Sequence, residues 1–404
     1  MFDPLSPSFA QDPYSVYDRL RQSPEPVFFA PMGCHLLSRY EDVEVAARNP
    51  VMVRSLEAFS DEVTIREQQV QANFHDMPNH EQFVQFSMLE RDGEVHRRLR
   101  MVVLREFSKA FIEKHRAMVQ AYVNRLLDDV LQNDTLEFVG DLAAQVPGHI
   151  IGRILGVPDE DCPQLRTWSE DIVQYFDADR TPENKARAEN ATREFYEYLL
   201  AQIDQRRQSP TGDLLTTLVK AEASGELNET ELVSTSLLIL AGGHGSTIDV
   251  LGTGMLTLIS NPDQLQRLRD DPSLMPTAVQ EMFRYDAPLP FFHRYASEEV
   301  EVMGRVYPKS TKFGLLYGSA NRDPDAFPEA DAFRVDRVPN RHVAFGRGAH
   351  LCLGNNLARL NMDIIFSTLL RRVSTFELAI NEPVFRPGLS SRGLTSLPLR
   401  ISTA

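Results

Sequence analysis

One cysteine lies in a setting that suits a metal-bound thiolate. In the segment "HVAFGRGAHLCLGNNLARL", Cys352 follows Gly346 and Gly348 and precedes Gly354, where a helical pattern begins. Glycines let backbone N–H groups approach a sulfur closely, and the start of a helix lowers the pKa of a thiol. Phe345 would shield such a sulfur from water. These features alone leave a second interpretation open, a buried cysteine with only a packing role.

A second segment, "LLILAGGHGSTIDVLG", has glycines in the middle of a long helix predicted over residues 228–260. Each glycine in a helix interior costs about 1 kcal/mol relative to alanine, so a cluster of them needs a local reason. A serine hydrolase is excluded as that reason. His244 and Ser246 lie two residues apart and do not face each other on a helix, and no G-x-S-x-G motif surrounds the serine. The central glycines are Gly242, Gly243 and Gly245.

The elements that would position these residues are mainly helical. Apolar residues recur at three- and four-residue steps through much of residues 92–288, including residues 111–132 and 184–208. Short apolar runs typical of strands occur before residue 60 and after residue 288, ahead of a last helix at about 354–373 and a closing strand at 393–401. We therefore predict one domain over 1–404, mainly α, with a small β-rich lobe from about 1–60 and parts of 288–404.

The composition of the chain indicates its cellular compartment and disfavours some classes of binding partner. The chain has 404 residues, 42% hydrophobic and 25% charged, with a net charge of −15, which disfavours nucleic acid and anionic membranes as partners. It has no signal peptide at its start and no apolar window approaching the roughly 20 residues of a membrane span. Three widely separated cysteines argue against disulfides and for a cytoplasmic location.

Several common cofactor motifs are absent. There is no HExxH, CxxC or EF-hand loop, so the sequence gives no sign of an ordinary zinc or calcium site. The segment "GRGAHL" lacks the third glycine of a dinucleotide loop, and no βαβ unit surrounds it.

The spacing around the cysteine decides between its two interpretations. Phe345, Gly348, Cys352 and Gly354 fit F-x-x-G-x-x-x-C-x-G, which resembles the haem-binding signature of the cytochrome P450 family. The resemblance covers nearly the whole chain and implies that Cys352 is the axial ligand of a haem b iron. It also implies the family fold, a triangular helical prism with a long I helix over the haem and a small β lobe.

Other segments occur in the order that this resemblance requires. "EMFRY" and "FRVDR" resemble the E-x-x-R pair of the K helix and the segment whose arginine holds that pair, which implies structural roles for Glu281, Arg284 and Arg337. Two buried haem propionates require cationic and N–H donors. The residues implied to contact the haem are His96, Arg100, Arg294, His350, Phe345 and Gly346, with His342 as a further candidate.

The resemblance also accounts for the glycines in the long helix. In this family the I helix carries A/G-G-x-D/E-T-T/S and opens locally beside bound oxygen, where a water relays protons. An alignment starting at Gly242 puts Gly245 at the acid and Ser246 at the alcohol, whereas one starting at Ala241 puts His244 and Gly245 there. An ungapped count to the segment "NPDQL" favours the frame that starts at Gly242. Both frames lack the usual carboxylate.

Several groups could supply catalytic protons instead. Ser246, Thr247, His244, ordered water and the substrate itself are candidates, and Asp249 lies one turn beyond Gly245. A histidine titrates near neutrality and can relay protons, but a histidine packed against a neighbouring helix is an equal alternative. Asp249 is equally interpreted as an exposed helix charge.

Family position also implies a substrate pocket rich in phenyl rings. Such a pocket suits a small apolar substrate, including a compact aromatic one; the same spacing is also typical of a core. The implied pocket residues are Phe83, Phe86, Leu89, Leu240, Ala241, Pro290, Phe291, Phe292 and Leu389.

These features imply a monooxygenase that uses O2 to hydroxylate or O-dealkylate its substrate. No flavin or iron–sulfur domain is fused, so a separate ferredoxin and ferredoxin reductase would supply electrons. A basic docking patch is implied at Arg97, Arg98, Arg347 and Arg359, with ordinary surface charge as the alternative. The missing acid also fits an enzyme that uses peroxide or substrate-assisted protonation. A haem-thiolate sensor without catalysis is a third hypothesis.

Overall fold

The computed structural model describes residues 2–85, 87–177 and 179–403. The helices, in chain order from α1 to α18, are Pro7–Gln11, Tyr14–Arg21, Tyr40–Arg48, Glu62–Gln71, Pro78–His80, Gly93–Leu104, Lys109–Glu113, Arg116–Val130, Val146–Leu155, Cys162–Gln174, Pro182–Gln208, Leu214–Ala223, Glu229–Gly242, Gly245–Ser260, Pro262–Asp270, Met275–Tyr285, Tyr317–Ala320 and Asn355–Arg372. The strands, β1 to β10, are Val27–Phe29, Cys34–Leu37, Met52–Val53, Thr135–Glu137, Phe291–Ala296, Val300–Val302, Arg305–Tyr307, Lys312–Leu316, Val373–Leu378 and Pro398–Thr403. The mainly helical character with a minor β component is as predicted.

A five-stranded sheet joins strands from residues 27–53 to strands from residues 291–316. Its strand order is β1-β2-β8-β5-β3, with β2 and β8 parallel and the other neighbours antiparallel. In the β5–β8 pair, Arg294 lies opposite Phe313 and Tyr295 lies opposite Lys312. Since successive side chains of a strand point to opposite faces, Tyr295 and Lys312 share one face and Arg294 lies on the other.

Helices α8 to α14, α16 and α18 enclose the largest apolar core. Helix α11 presents Phe195, Leu199 and Ile203 to it, spaced by four residues, and each is fully buried, as the period of an amphipathic helix requires. No helix in the described ranges is both long enough and apolar enough to cross a membrane.

The long helix predicted over residues 228–260 is two helices. α13 begins with the predicted asparagine cap, and Asn228 and Glu231 form a reciprocal capping box. It ends at Gly242, and α14 begins at Gly245 after His244 leaves helical geometry, with φ −96° and ψ −80°. The prediction of a local opening at the glycines is confirmed, but the opening breaks the helix completely.

Other boundaries also differ from the sequence pattern. Residues 111–132 divide into α7 and α8. The closing strand predicted at 393–401 is instead β10, which begins at Pro398 and ends at Thr403. β4, Thr135–Glu137, interrupts the region predicted to be helical because it pairs with β10. This pairing joins residues more than 250 positions apart, so local periodicity carries no signal for it.

Candidate active site

Cys352 ends a loop that is shaped by two glycines in left-handed conformation. Gly346 has φ +68° and Gly348 has φ +71°, values that glycine adopts without strain. A Cβ on Gly348 would lie 2.7 Å from the carbonyl oxygen of Ala47 at the end of α3, so no larger residue fits. The N–H of Cys352 donates to the carbonyl of Phe345 at 2.9 Å and closes the loop.

The sulfur of Cys352 experiences opposing influences. Burial raises the pKa of the thiol, whereas backbone N–H donors of Gly354 and Asn355 and the charges of Arg100 and Arg359 lower it. Asn355 is the first residue of α18, so the positive end of a helix dipole points toward the sulfur. The side chain is nevertheless accessible. An accessible yet desolvated sulfur lines a recess in the protein.

Phe345 packs behind this loop. Its ring centroid lies 4.5 Å from that of Phe283 in α16, and the guanidinium carbon of Arg359 lies 4.5 Å from the ring. These contacts bury the ring and fix the loop between α16 and α18. That Phe345 shields the sulfur of Cys352 from water stays a prediction.

Four nitrogen-bearing side chains converge beside the loop. The rings of His96 and His350 lie 4.2 Å apart, and Arg100 donates to the carbonyl of Leu351 at 2.5 Å. Arg294 is 2% exposed and donates only to the carbonyl of its neighbour His293, at 2.9 Å. Within the described ranges, neither Arg100 nor Arg294 has a carboxylate at ion-pair distance. Arg100 and Arg294 are therefore the two cations of the cluster that an additional anion could neutralise.

Desolvation acts on all four side chains. Burial lowers the pKa of His96, Arg100 and Arg294, and it lowers the pKa of His350 to about 4. A buried positive charge without a counter-ion is costly. An anionic group at this position would remove that cost, since it would favour the charged form of each donor.

Asp92 organises this cluster, and sequence reasoning missed it. The residue precedes α6 and would ordinarily cap that helix, but its side chain makes no capping bond. It accepts instead from His350 Nε2 at 2.9 Å and from the backbone N–H groups of Arg54 and Ser55 at 2.7 and 2.8 Å. A carboxylate immediately before a helix that bears His96 was the available signal.

The broken helix has one packed side and one open side. A Cβ on Gly243 would lie 2.9 Å from Ile151 of α9, so glycine is required for close packing there. A Cβ on Gly242 or on Gly245 would meet no atom within 4 Å, and Gly242 is exposed. The glycines therefore serve two purposes, a close helix contact and an open space.

His244 lies on the packed side of the break. Its Nδ1 approaches the carbonyl oxygen of Leu240 at 2.5 Å, and the ring fills the space that a Cβ on Gly148 would occupy. The side chain is 1% exposed, and burial lowers its pKa. The structure does not bring His244 to the open side, which agrees with the packing alternative and not with a relay.

A family model described as Cytochrome P450 matches residues 8–401. The chain belongs to the cytochrome P450 family. It is 32% identical to the polyketide biosynthesis cytochrome P450 PksS of Bacillus subtilis, over 100% of this chain and 99% of that protein. As members of this family are monooxygenases, this P450 is an oxidoreductase.

Solved structures confirm the predicted fold. P450BioI in complex with hexadec-9Z-enoic acid ligated acyl carrier protein matches with a TM-score of 0.90 at 30% identity, covering 98% of this chain and 100% of that one. The myxobacterial CYP267B1 in complex with myristic acid matches with a TM-score of 0.90 at 32% identity, covering 98% of each chain.

The residues around Cys352 fit the haem that the family carries. The recess places a thiol held by N–H donors beside His96, Arg100, Arg294 and His350. Arginines without carboxylate partners match the two propionates of a haem. His342 does not join them, because its Nε2 contacts Gln280 at 3.1 Å and its Nδ1 accepts from the N–H of Ala344 at 3.3 Å.

The predicted structural triad forms a buried ion-pair network. Arg284 donates to both carboxylate oxygens of Glu281 at 2.7 Å, and Arg337 donates to the same group at 3.0 Å. Both arginines also donate to backbone carbonyls, including that of Ala332. Glu281 and Arg284 are fully buried, so the network fixes α16 against the segment that leads to the cysteine loop.

The predicted proton donors occupy different environments. Ser246 is half-buried beside the open Gly245, and its hydroxyl has no partner within the described ranges. Thr247 is buried. Asp249 is 4% exposed and paired with Arg386, and burial raises its pKa to about 6. Its interpretation as an exposed charge is wrong.

The predicted pocket residues do not form one group. Phe83, Leu240 and Ala241 lie in the main core, where the ring of Phe83 stacks on Tyr196 at 4.4 Å. Phe291 and Leu389 lie in a separate cluster under the sheet. The partly exposed members are Leu89 and Phe292, and Phe86 lies outside the described residues.

The predicted basic patch consists of arginines that already have partners. Arg97 pairs with Glu94, and Arg98 pairs with Glu231. Arg347 donates to backbone carbonyls of residues 341, 342 and 346, and Arg359 donates to Gln280. The exposed residues of α6 include the apolar Val95, Met101 and Leu104 beside the charged Glu94 and Arg97.

Proposed function

We propose that this P450 hydroxylates or O-dealkylates a small apolar substrate with O2, using electrons from a separate ferredoxin and ferredoxin reductase. The observation that carries the proposal is the accessible sulfur of Cys352, held by N–H donors beside cations that lack carboxylate partners. Bound haem b would supply the iron that binds and activates O2.

The residues around the recess would hold that cofactor in three ways. Cys352 supplies the thiolate ligand, and the N–H groups of Gly354 and Asn355 stabilise its negative charge. His96, Arg100, Arg294 and His350 bind the propionates. Phe345 and Gly346 form the protein surface against the ring, as proposed from their positions in the motif.

The broken helix would provide the oxygen side of the site. Gly242 and Gly245 leave room that side chains would fill. Ser246, with its free hydroxyl, is the proposed group that holds a water and moves protons from it. Thr247 supports this segment from the buried side. Gly245 itself contributes space and no acid.

A ferredoxin would dock near the cysteine loop, on the face formed by α6. Arg100 of this helix bonds the loop at Leu351, and Met101 and Leu351 expose 60% and 38% of their surface. Apolar residues of this kind suit the core of a transient interface. Arg97 keeps an exposed cationic group at its edge.

The test is turnover of an apolar substrate panel by the purified holoenzyme with ferredoxin, reductase and O2. The expected result is an oxygenated product that carries label from 18O2. Ligand binding that perturbs the haem band without any product would overturn the proposal and favour a sensor.

A second candidate function rests on Gly245, which stands where the family has an acid. Hydrogen peroxide brings its own protons and electrons, so a peroxide-using enzyme has less need of that acid. A substrate hydroxyl or amine would serve the same purpose. Turnover that is faster with peroxide than with the ferredoxin system would favour this candidate over the first.

A further inference from the structure

A second group of buried cations lies away from the cysteine loop. Arg180 lies between α10 and α11, and Lys312 opens β8 on the sheet face opposite Arg294. Tyr295 lies beside Lys312 on that face, with the amine nitrogen 5.6 Å from its ring centroid. Lys312 and Tyr295 are both partly accessible, so this face borders an open space.

Neither cation has a carboxylate at ion-pair distance within the described ranges. Arg180 donates to the backbone carbonyls of Ala72, Tyr175 and Phe176 at 3.1, 3.3 and 3.3 Å. Three such bonds leave two of its five N–H groups free. The side-chain amine of Lys312 makes no hydrogen bond with the described residues. The Arg180 guanidinium also lies over the ring of Phe74, 4.5 Å from its centroid.

The surrounding charges do not neutralise the pair. Glu90 is the carboxylate that acts on Lys312, but it is already paired with Arg54. Asp177 acts on Arg180, but it accepts the N–H groups of Leu389 and Ser390, at 2.8 to 3.1 Å. Arg54, Arg180 and Lys312 are positive and only Glu90 and Asp177 are negative among these groups, so one positive charge remains in excess.

Burial shifts the pKa of both cations at this site. It lowers the pKa of Lys312 to about 8, with Arg180 and Arg54 acting in the same direction and Cys34 and Glu90 opposing them. Burial also lowers the pKa of Arg180. Holding two such cations near each other without a counter-ion is unfavourable, and a bound anion would relieve it.

We propose that Arg180 and Lys312 bind an anionic oxygen group of the substrate, a carboxylate or a phosphate ester attached to an apolar chain. The inference rests on the proposed function, since the bound molecule is the one to be oxidised. A carboxylate would belong to a free acid, whereas a phosphate would belong to the pantetheine arm of a carrier-bound acyl group.

The test is an optical and calorimetric titration of the holoenzyme with three probes: tetradecanoic acid, its methyl ester and tetradecanoyl-pantetheine 4′-phosphate. The acid, the phosphate probe or both should bind about tenfold more tightly than the ester, the size of one charge-assisted hydrogen bond. Preference for the acid identifies a free-acid substrate, and preference for the phosphate probe identifies a carrier-bound one.

Two variants locate the effect. Lys312→Met and Arg180→Gln should each weaken binding of the preferred anion about tenfold and leave the ester unchanged. Lys309→Met and Arg193→Met are the controls, because both side chains are exposed on neighbouring elements and should change neither affinity. Lys312→Arg keeps the charge and should keep the preference.

A pH series tests the site in the unmodified protein. Lys312 is charged below a pKa of about 8, so affinity for the anion should be full near pH 7 and fall as the pH rises through that value. Other nearby groups do not titrate there: the pKa of His293 is well below neutrality, that of Cys34 is raised to about 11, and that of Tyr295 is raised.

Equal binding of acid, phosphate probe and ester would overturn the inference, as would anion affinity that survives both charge-removing variants. The inference would also be overturned if none of the three probes bound. Each of these results leaves the proposed function standing if labelled product still forms from another substrate. Absence of product with tight anion binding that depends on Arg180 and Lys312 would instead overturn the proposed function and leave an anion site whose ligand is not a substrate.

Discussion

The cysteine loop and the broken helix both depend on glycine, but for different physical reasons. In the loop, Gly346 and Gly348 adopt positive φ, which a side chain disfavours. In the helix, Gly243 has the ordinary φ of −82° and is needed for the space that Ile151 occupies. The loop requires glycine for its backbone conformation and the helix requires it for packing and for open volume.

The two regions also differ in charge. Beside the loop, Arg100 and Arg294 lack carboxylate partners within the described ranges, so that side is prepared for anions. At the break, Asp249 is tied to Arg386. The side beside the cysteine loop is therefore specified by its own residues, whereas at the break we propose that hydroxyls, water or the substrate supply protons.

The largest effect should follow loss of the sulfur. Cys352→Ala removes the thiolate, so the reduced, CO-bound haem spectrum typical of thiolate ligation and all O2-dependent turnover should disappear. Spectra of the purified variant after haem reconstitution measure this directly. Cys162→Ala removes a buried thiol elsewhere in the chain and should keep the spectrum. A thiolate spectrum in Cys352→Ala would mean that the axial ligand lies elsewhere.

The next effect concerns the network that holds the loop in place. Glu281→Gln leaves Arg284 and Arg337 buried without their carboxylate, and should lower the free energy of unfolding by about 3–5 kcal/mol. Urea unfolding monitored by circular dichroism gives this value. Glu94→Gln is a matched control, because Glu94 and Arg97 form the same i,i+3 pair on an exposed helix face.

The control variant should unfold at nearly the same urea concentration as the unmodified protein, since an exposed ion pair contributes little. Similar losses in both variants would show that burial is not what makes the network important. A stable Glu281→Gln variant would contradict its structural role altogether.

The contrast between the two regions also explains what the sequence could predict. The cysteine signature, the E-x-x-R pair and the cap at Asn228 are local patterns, and each has the predicted geometry. Asp92, Arg180 and Lys312 were missed because their partners come from distant segments. The β5–β8 pairing and the contact of α6 with the cysteine loop bring these segments together. His244 was ambiguous for the same reason, since Gly148 of another helix decides which way its ring points.

A third prediction separates the two purposes of the helix glycines. Gly243→Ala places a methyl group 2.9 Å from Ile151, so overpacking should destabilise the protein by about 1–3 kcal/mol. Gly242→Ala meets no atom within 4 Å and should stabilise it by up to about 1 kcal/mol, while weakening ligand binding on the open side. Unfolding and optical titration of both variants test this.

Ile151→Val in the Gly243→Ala background should recover part of the lost stability, because it removes a methyl group from the crowded contact. Equal destabilisation by both alanine variants would mean that the break itself, and not the contact with α9, requires glycine.

The smallest effect is expected from placing an acid at Gly245, where the family motif has one. A Cβ on Gly245 meets no atom within 4 Å, so Gly245→Asp should fold and place a carboxylate beside Ser246. The fraction of electrons recovered as product should rise by less than about tenfold if Ser246 and water supply protons as proposed. The amount of product formed per pair of electrons supplied by the ferredoxin reductase measures this fraction. Gly245→Asn has the same shape without an ionisable group and should leave the fraction unchanged. If aspartate and asparagine act alike, proton supply is not limited by the missing acid, and the open volume at Gly245 is then the property that this position provides.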